Sequence, residues 1–331
     1  MIISRTPFRI SFFGGGTDYP DWIAEHGGAV LGTTIDKYAY VTCRHLPPFF
    51  EHKYRIIYSQ LEQVNELEEI DHPSVRETIR WTGITDGLQI HHDADLPGKS
   101  GLGSSSTFTV GLLNSLYRLG GHTSEVLTGY DRELADAAIK IEQERIGESV
   151  GSQDQIHAAV GGFNQIVFPP EGGYAIRSCE YKSIDRLSEH CLLFFTGIQR
   201  YSSSIAAGVI KNAPKRKSEL TTMRQMVPEA MSILESENAN IEDFGKLLHQ
   251  SWLLKRSLTS KVTNDHINDI YNMGMSNGAV GGKILGAGGG GFILFIADPE
   301  HHKSIIGALK PLVHVPFEFS DTGSTIVFDD R

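Results

Sequence analysis

Three glycine-rich stretches constrain this chain more than any other feature: FFGGGTDYP around Gly14 to Gly16, LPGKSGLGSSSTF with Gly98, Gly101 and Gly103, and KILGAGGGGF with Gly286 and Gly288 to Gly291. Glycine loses more conformational freedom on folding than any other residue, so a cluster of them has to be offset by backbone conformations or close approaches that side chains forbid. Each stretch also borders a patterned segment. The pattern indicates what the glycines face.

The second stretch runs into a helix. From Ser104 onward Phe108, Leu112, Leu113, Leu116 and Leu119 recur at helical spacing, and Gly120 and Gly121 stop the run. The loop before that helix points backbone N–H groups and the positive end of the helix dipole outward, which makes it an anion site. Its candidate ligands are Pro97, Gly98, Lys99, Ser100, Gly101, Leu102, Gly103, Ser104, Ser105 and Ser106. The GKS within it is not a Walker motif, because the glycine required five residues before Gly98 is Asp93.

The third stretch formally fits the dinucleotide fingerprint G-x-G-x-x-G, but the apolar FILFIAD that follows has strand character and supplies no helix N-terminus for a phosphate. That argues against a nicotinamide oxidoreductase. A glycine run before a strand instead indicates backbone packed against another element or a ligand. The first stretch follows the strand-like RISFF and precedes Thr17 and Asp18.

Further strands are expected at AVLGTTIDKYAYVTCRHL, YRIIYS, GLQIHH, FNQIVF, HCLLFFTG, VPFEFS and STIVFDD. Helices are expected at 131–146, where Leu134, Ala138 and Ile141 share a face, and at 214–236, 241–259, 264–274 and 302–309. SQDQ reads as a capping box, with Ser152 at the N-cap, Asp154 at N2 and Gln155 at N3. Strands and helices mix without strict alternation, so the class is α+β, with a domain boundary between 175 and 190.

Composition narrows the partners. A net charge of −10 argues against nucleic acid or an anionic membrane, and it means that an anionic substrate must be met by locally placed Arg or Lys. No signal peptide or apolar run of about 20 residues is visible, so a cytoplasmic location is expected. Cys43, Cys179 and Cys191 are too few and too scattered for a disulfide framework or a zinc site, and read as buried thiols.

Taken together, PFRISFFGGGTDY, PGKSGLGSSST and KILGAGGGGF resemble, in order and spacing, the three motifs of the GHMP kinases, named for galactokinase, homoserine kinase, mevalonate kinase and phosphomevalonate kinase. The resemblance covers essentially the whole chain. It implies a two-domain α+β fold, with a ribosomal-protein-like domain at 1–180 and a ferredoxin-like domain at 181–331. It also implies ATP and Mg²⁺ as cofactors.

By the same resemblance Asp154 is the catalytic base, and Arg9 is the cation that holds it ionised and meets the γ-phosphate. Ser105 and Glu144 are the metal ligands, with Glu142 as a rival carboxylate. Thr17 and Asp18, in the TDY of the family's sugar kinases, face the acceptor together with Gly288 and Gly289. FRISFFGGGTDYPDW, GSQDQIHAAVGGFN and TGIQRYSS look most like the branch that phosphorylates heptose 7-phosphates at the anomeric oxygen.

Lys255 points the same way on physical grounds, since it falls inside the stripe of Phe244, Leu247, Leu248, Leu254 and Leu258, and an inward lysine needs a partner. With Arg200 it is the candidate for an acceptor phosphate. A kinase of a free sugar such as fucose or galactose, and a silent sugar-binding relative, remain alternatives. The oligomeric state is open, a homodimer included.

Overall fold

The computed structural model describes residues 1–121, 129–199 and 202–331. β1 (Ile2–Phe13) and β2 (Gly28–His45) pair antiparallel, with α1 (Pro20–His26) between them. Next come β3 (Tyr54–Ile57), β4 (Leu61–Val64), α2 (Pro73–Thr82), β5 (Leu88–Ala94), α3 (Ser104–Leu119), α4 (Tyr130–Lys140), α5 (Gln153–Val160), β6 (Phe163–Phe168) and β7 (Ala175–Ser178). The second half holds α6 (Lys182–Glu189), β8 (Cys191–Phe195), α7 (Ser202–Asn212), α8 (Lys217–Glu235), α9 (Ile241–Leu258), α10 (Asp265–Ser276), β9 (Ala279–Ile284), β10 (Phe292–Ala297) and α11 (His302–Ala308). The chain closes with β11 (Val313–His314), β12 (Phe319–Ser320) and β13 (Thr325–Asp329).

Among the described residues the strands form two sheets. One has nine strands in the order β13-β1-β2-β5-β3-β4, with β6 and β12 also on β2 and β7 on β6, and the other has four in the order β11-β8-β10-β9. This is the expected α+β architecture in two parts. The expectation that 181–331 forms one unit is corrected at its end, because β12 and β13 return to pair with β2 and β1 of the first sheet.

The helix predicted from Ser104 occupies Ser104–Leu119 as the spacing requires, but it is buried on nearly all sides. The reason is its surroundings: the sheet lies under it, and α2, α4 and α5 pack around it. The last residues of β1 are also buried on both faces, since α8 and α9 of the second part cover what would otherwise be a solvent face. Phe8, Phe12 and Phe13 of β1 share one core with Met226 and Val227 of α8, Phe244 and Leu248 of α9 and Leu294 of β10. Each such side chain contributes about 1.5–3 kcal/mol when fully buried, so the two parts are joined by a core rather than by a linker. The three cysteines are free and buried. Among the described residues no helix is long and apolar enough to cross a membrane.

Candidate active site

Arg9 and Asp154 form the centre of the site. Arg9 Nε and Nη2 donate to Asp154 Oδ1 and Oδ2 at 2.7 and 2.8 Å, and Nη1 donates to the carbonyl of Gly101 at 2.8 Å. Arg9 lies where the register of β1 on β2 slips, between Pro7 and Arg9, a break of the kind that re-aims a side chain. It is buried, whereas Asp154 keeps 26% of its side chain exposed. The carboxylate is therefore held from one side by a bidentate charge-assisted pair and reachable from the other.

Asp154 sits at the head of α5, but the expected capping box is not made. Ser152 is the N-cap residue with no side-chain cap bond, and its hydroxyl accepts instead from Gln143 Nε2 at 3.1 Å. Gln155 turns away to donate to Glu142, and Gln153 Nε2 donates to Asp18 Oδ2 at 2.9 Å. The two glutamines of SQDQ are thus spent on the acids of the site rather than on the helix end. Asp18 is buried and also accepts from the Gly16 N–H at 3.0 Å. Burial pushes its carboxyl above the usual range, and the nearby Asp154 charge adds to this.

Thr17 is corrected as an acceptor ligand. Its hydroxyl lies 2.8 Å from the Gly14 carbonyl and 3.0 Å from that of Ala29, and it accepts from the Ala29 N–H, so it pins the loop that carries Asp18.

The phosphate loop meets the third glycine stretch main chain to main chain. Gly103, with φ 78°, is the N-cap of α3, and a Cβ on it would come within 3.3 Å of Arg9 Cγ and 3.4 Å of Asp154 Oδ2. The loop mouth, the α3 N-terminus and the ion pair are thus contiguous. Pro97, Gly98, Lys99 and Ser105 are exposed and Gly101, Gly103 and Ser104 half-buried, as a ligand-facing loop requires. Ser100 and Leu102 are buried, and their carbonyls accept from Phe292 N and Arg9 N, so these two stitch the loop to β10 and β1. Gly288 and Gly289 pack against Val262. A Cβ on Gly288 would lie 2.7 Å from the Val262 carbonyl, which accepts from the Gly289 N–H.

After α4 the chain makes a π-helical turn, Ile141–Ile146, ended by Gly147 in the left-handed region. Such turns shift the phase of a helix and are frequent at functional sites. Glu142 within it is fully buried and accepts from Ser106 Oγ at 2.8 Å and from Gln155, while Glu144 is exposed. Of the two rival carboxylates, Glu142 is the one the fold turns inward beside Ser106, while Glu144 and Ser105 are exposed. Burial raises the Glu142 carboxyl to about 7 against the hydrogen bonds that lower it, and its Oε1 has no partner.

Lys255 points inward as expected, but to carbonyls: Nζ donates to Ile284 O at 2.9 Å and Gly286 O at 2.5 Å. It holds the third glycine stretch in place, which corrects its assignment to an acceptor phosphate. Arg200 lies outside the described residues. Lys283, which the sequence did not single out, is buried and donates to the Phe12 carbonyl at 2.7 Å, just before the Gly14 to Asp18 loop.

Residues 71–162 match the model for the GHMP kinases N terminal domain, and residues 232–311 match the model for the GHMP kinases C terminal. The chain belongs to the GHMP kinases.

As a GHMP kinase it is an ATP-dependent phosphotransferase with an alcohol group as acceptor. It is 29% identical over 321 residues to the D-glycero-alpha-D-manno-heptose 7-phosphate kinase of Campylobacter jejuni, covering 93% of each chain. It is 25% identical over 350 residues to the galactokinase of Pyrococcus furiosus, covering 93% of this chain and 92% of that one. The crystal structure of a D-glycero-D-manno-heptose 1-phosphate kinase from Bacteroides thetaiotaomicron superposes with a TM-score of 0.80 at 24% identity over 100% of both chains, a likeness of fold.

Within this GHMP kinase the residues that fit a divalent cation are Glu142 and Ser106. An unpartnered carboxylate oxygen beside a serine hydroxyl, one turn into α3, is a hard oxygen donor set of the kind that Mg²⁺ shares with phosphates and water. Among the described residues no group of three or more His, Cys, Asp and Glu could hold a metal by itself, so phosphate oxygens would have to complete the shell.

Proposed function

We propose that this GHMP kinase transfers the γ-phosphoryl group of ATP to the anomeric hydroxyl of a heptose 7-phosphate, giving the 1,7-bisphosphate for nucleotide-activated heptose synthesis. The observation that carries the reading is the Arg9–Asp154 pair, fixed beside Gly103 at the head of α3 with the Asp154 carboxylate still partly exposed. The N–H groups before α3 would receive the polyphosphate. Mg²⁺, held by Glu142 and Ser106, would neutralise charge on the phosphate oxygens.

Asp154 accepts the hydrogen bond of the acceptor hydroxyl, and Arg9 keeps the carboxylate in one orientation. As the acceptor oxygen bonds to the γ-phosphorus, the bond from that phosphorus to its bridging oxygen breaks, ADP leaves, and the hydroxyl proton passes to Asp154. Asp18, fixed by Gln153, lies close enough to Asp154 for the two charges to interact, and would accept from a second hydroxyl.

The heptose 7-phosphate assignment rests on the likeness to the Campylobacter enzyme. The heptose kinase of known fold is named instead for a 1-phosphate, so the two names differ on which phosphate is already in place. The commitment of Lys255 to carbonyls and the likeness to a galactokinase favour a second reading, a kinase of an unphosphorylated sugar. Initial rates with Mg-ATP and heptose 7-phosphate, heptose 1-phosphate, free heptose, galactose and fucose separate them, with the phosphorus NMR spectrum of the product locating the new ester. The proposal requires the highest kcat/KM with heptose 7-phosphate and a new signal at the anomeric position. Equal or better turnover of a free sugar would replace it with the second reading.

A further inference from the structure

Two of the three glycines in FFGGGTDYP are explained by the backbone, and the third is not. Gly14 is left-handed at φ 78°, with a would-be Cβ 1.9 Å from the Ala29 carbonyl oxygen, and Gly16 is left-handed at φ 102°. Gly15 lies outside the left-handed region. A methyl group on it would meet Ser11 Oγ at 3.5 Å and Gln153 Nε2 at 3.7 Å, both ordinary van der Waals distances. The fold would accept alanine there, and alanine would cost less entropy.

The gap over Gly15 is partly open, and its walls are polar. Ser11 of β1 and Gln153 of α5 are 5% and 7% exposed, and Ser11 Oγ and Gln153 Oε1 have no hydrogen-bond partner. The contact of Gln153 Nε2 with the Asp18 carboxylate fixes which end of the amide is nitrogen, and it uses one of that nitrogen's two hydrogens. Asp154 follows Gln153 directly in the chain. Unspent hydrogen-bonding capacity therefore borders a methyl-sized space over Gly15, next to the proposed catalytic acid.

We infer that Gly15, Ser11 and Gln153 form a specificity subsite, in which an oxygen of the acceptor other than the reacting one sits over Gly15 and accepts from Ser11 Oγ–H and the second Nε2–H of Gln153. This rests on the acceptor reading above and deepens it. The occupant is a polyol, because a substrate with a single hydroxyl would leave these groups buried and unpaired. Ser11 and Gln153 thus discriminate between acceptors, while Asp154 and Arg9 handle the reacting oxygen.

The test compares the full-length parent with Gly15→Ala and Ser11→Ala, using heptose 7-phosphate, or whichever sugar of the panel above the parent turns over best. Gly15→Ala is expected to keep the parent melting temperature and ATP affinity and to raise the acceptor KM at least about tenfold, with a smaller change in kcat, as loss of an acceptor-binding contact requires. Ser11→Ala should raise the same KM several-fold, and it decides the matter alone if Gly15→Ala does not fold. An unchanged acceptor KM in both variants overturns the subsite, as does a parent that phosphorylates no polyol. If the parent prefers a free sugar and Gly15→Ala still raises the KM for that sugar, the subsite stands and the heptose 7-phosphate reading falls.

Discussion

Gly286 and Gly101 touch with no side chain between them: a Cβ on Gly286 would lie 2.4 Å from the Cα of Gly101. The loop before α3, which is shaped to receive phosphate, is thus moulded by the loop after β9, which Lys255 holds through the Gly286 carbonyl. The third glycine motif thus packs backbone to backbone against the first-half loop.

That contact makes Gly286→Ala a nucleotide-binding variant without a nucleotide contact. The added methyl must push the phosphate loop aside, at a cost of about 1–3 kcal/mol for overpacking, and φ at Gly286 is 61°, which alanine disfavours. Isothermal titration with Mg-ATP should show affinity reduced about tenfold or more, alongside a lower melting temperature. Parent-like affinity would mean that the two loops move independently.

Lys255 should leave a signature in the pH dependence of stability. Burial, with a further push from Arg9, lowers its ammonium to about 7 in the folded chain, against an ordinary lysine value of 10.5. Between these values the unfolded chain binds more protons than the folded one, so the contribution of Lys255 to stability rises as pH climbs from about 7 toward 10. Lys283 is shifted in the same direction and adds to the slope. Urea unfolding at pH 7 and pH 9 should therefore show a smaller gain with pH for Lys255→Met than for the parent. A parallel gain in both proteins would show that the lysine is solvated.

Glu142 has the opposite sign. Its carboxyl is raised to about 7 from 4.5, so the folded chain binds more protons between these values, and stability is lost as pH rises through that window. Glu142→Gln removes the buried charge, and relative to the parent it should gain up to about 3 kcal/mol at pH 8 and little at pH 4.5, taking about 1.4 kcal/mol per unit. Phosphotransfer should nevertheless fall steeply, because the proposed metal ligand is gone. A variant that is no more stable at pH 8 and fully active would remove Glu142 from the site.

How far the sequence went depended on whether the deciding contacts were local. The helix from Ser104 to Leu119 was legible because its apolar spacing and the stop at Gly120 are written within the segment itself. The helix Pro73–Thr82 was missed although Pro73 and the left-handed Gly83 bracket it, because Val75 and Ile79 alone make a faint stripe. The strand Ala279–Ile284 was missed because two glycines dilute its pattern. The choice between Glu142 and Glu144 was not legible, because the two flank the Leu134, Ala138 and Ile141 face about equally and the π-helical turn Ile141–Ile146 that turns Glu142 inward carries no local signal. For Lys255 the inward direction was legible, but its carbonyl partners come from a loop distant in sequence and carry no side-chain signal. The capping box failed for a similar reason, since Asp18 and Glu142, the partners of Gln153 and Gln155, are set by the tertiary fold.

The account turns on Asp154 as the carboxylate that meets the acceptor hydroxyl, and single-turnover and steady-state rates of Asp154→Asn, measured beside its ATP affinity, test this most directly. The asparagine keeps the shape of the side chain and one acceptor oxygen for Arg9, so the fold and ATP binding should persist while kcat falls by roughly 10²-fold or more, the scale of general-base loss. An Asp154→Asn enzyme with parent kcat would contradict the account.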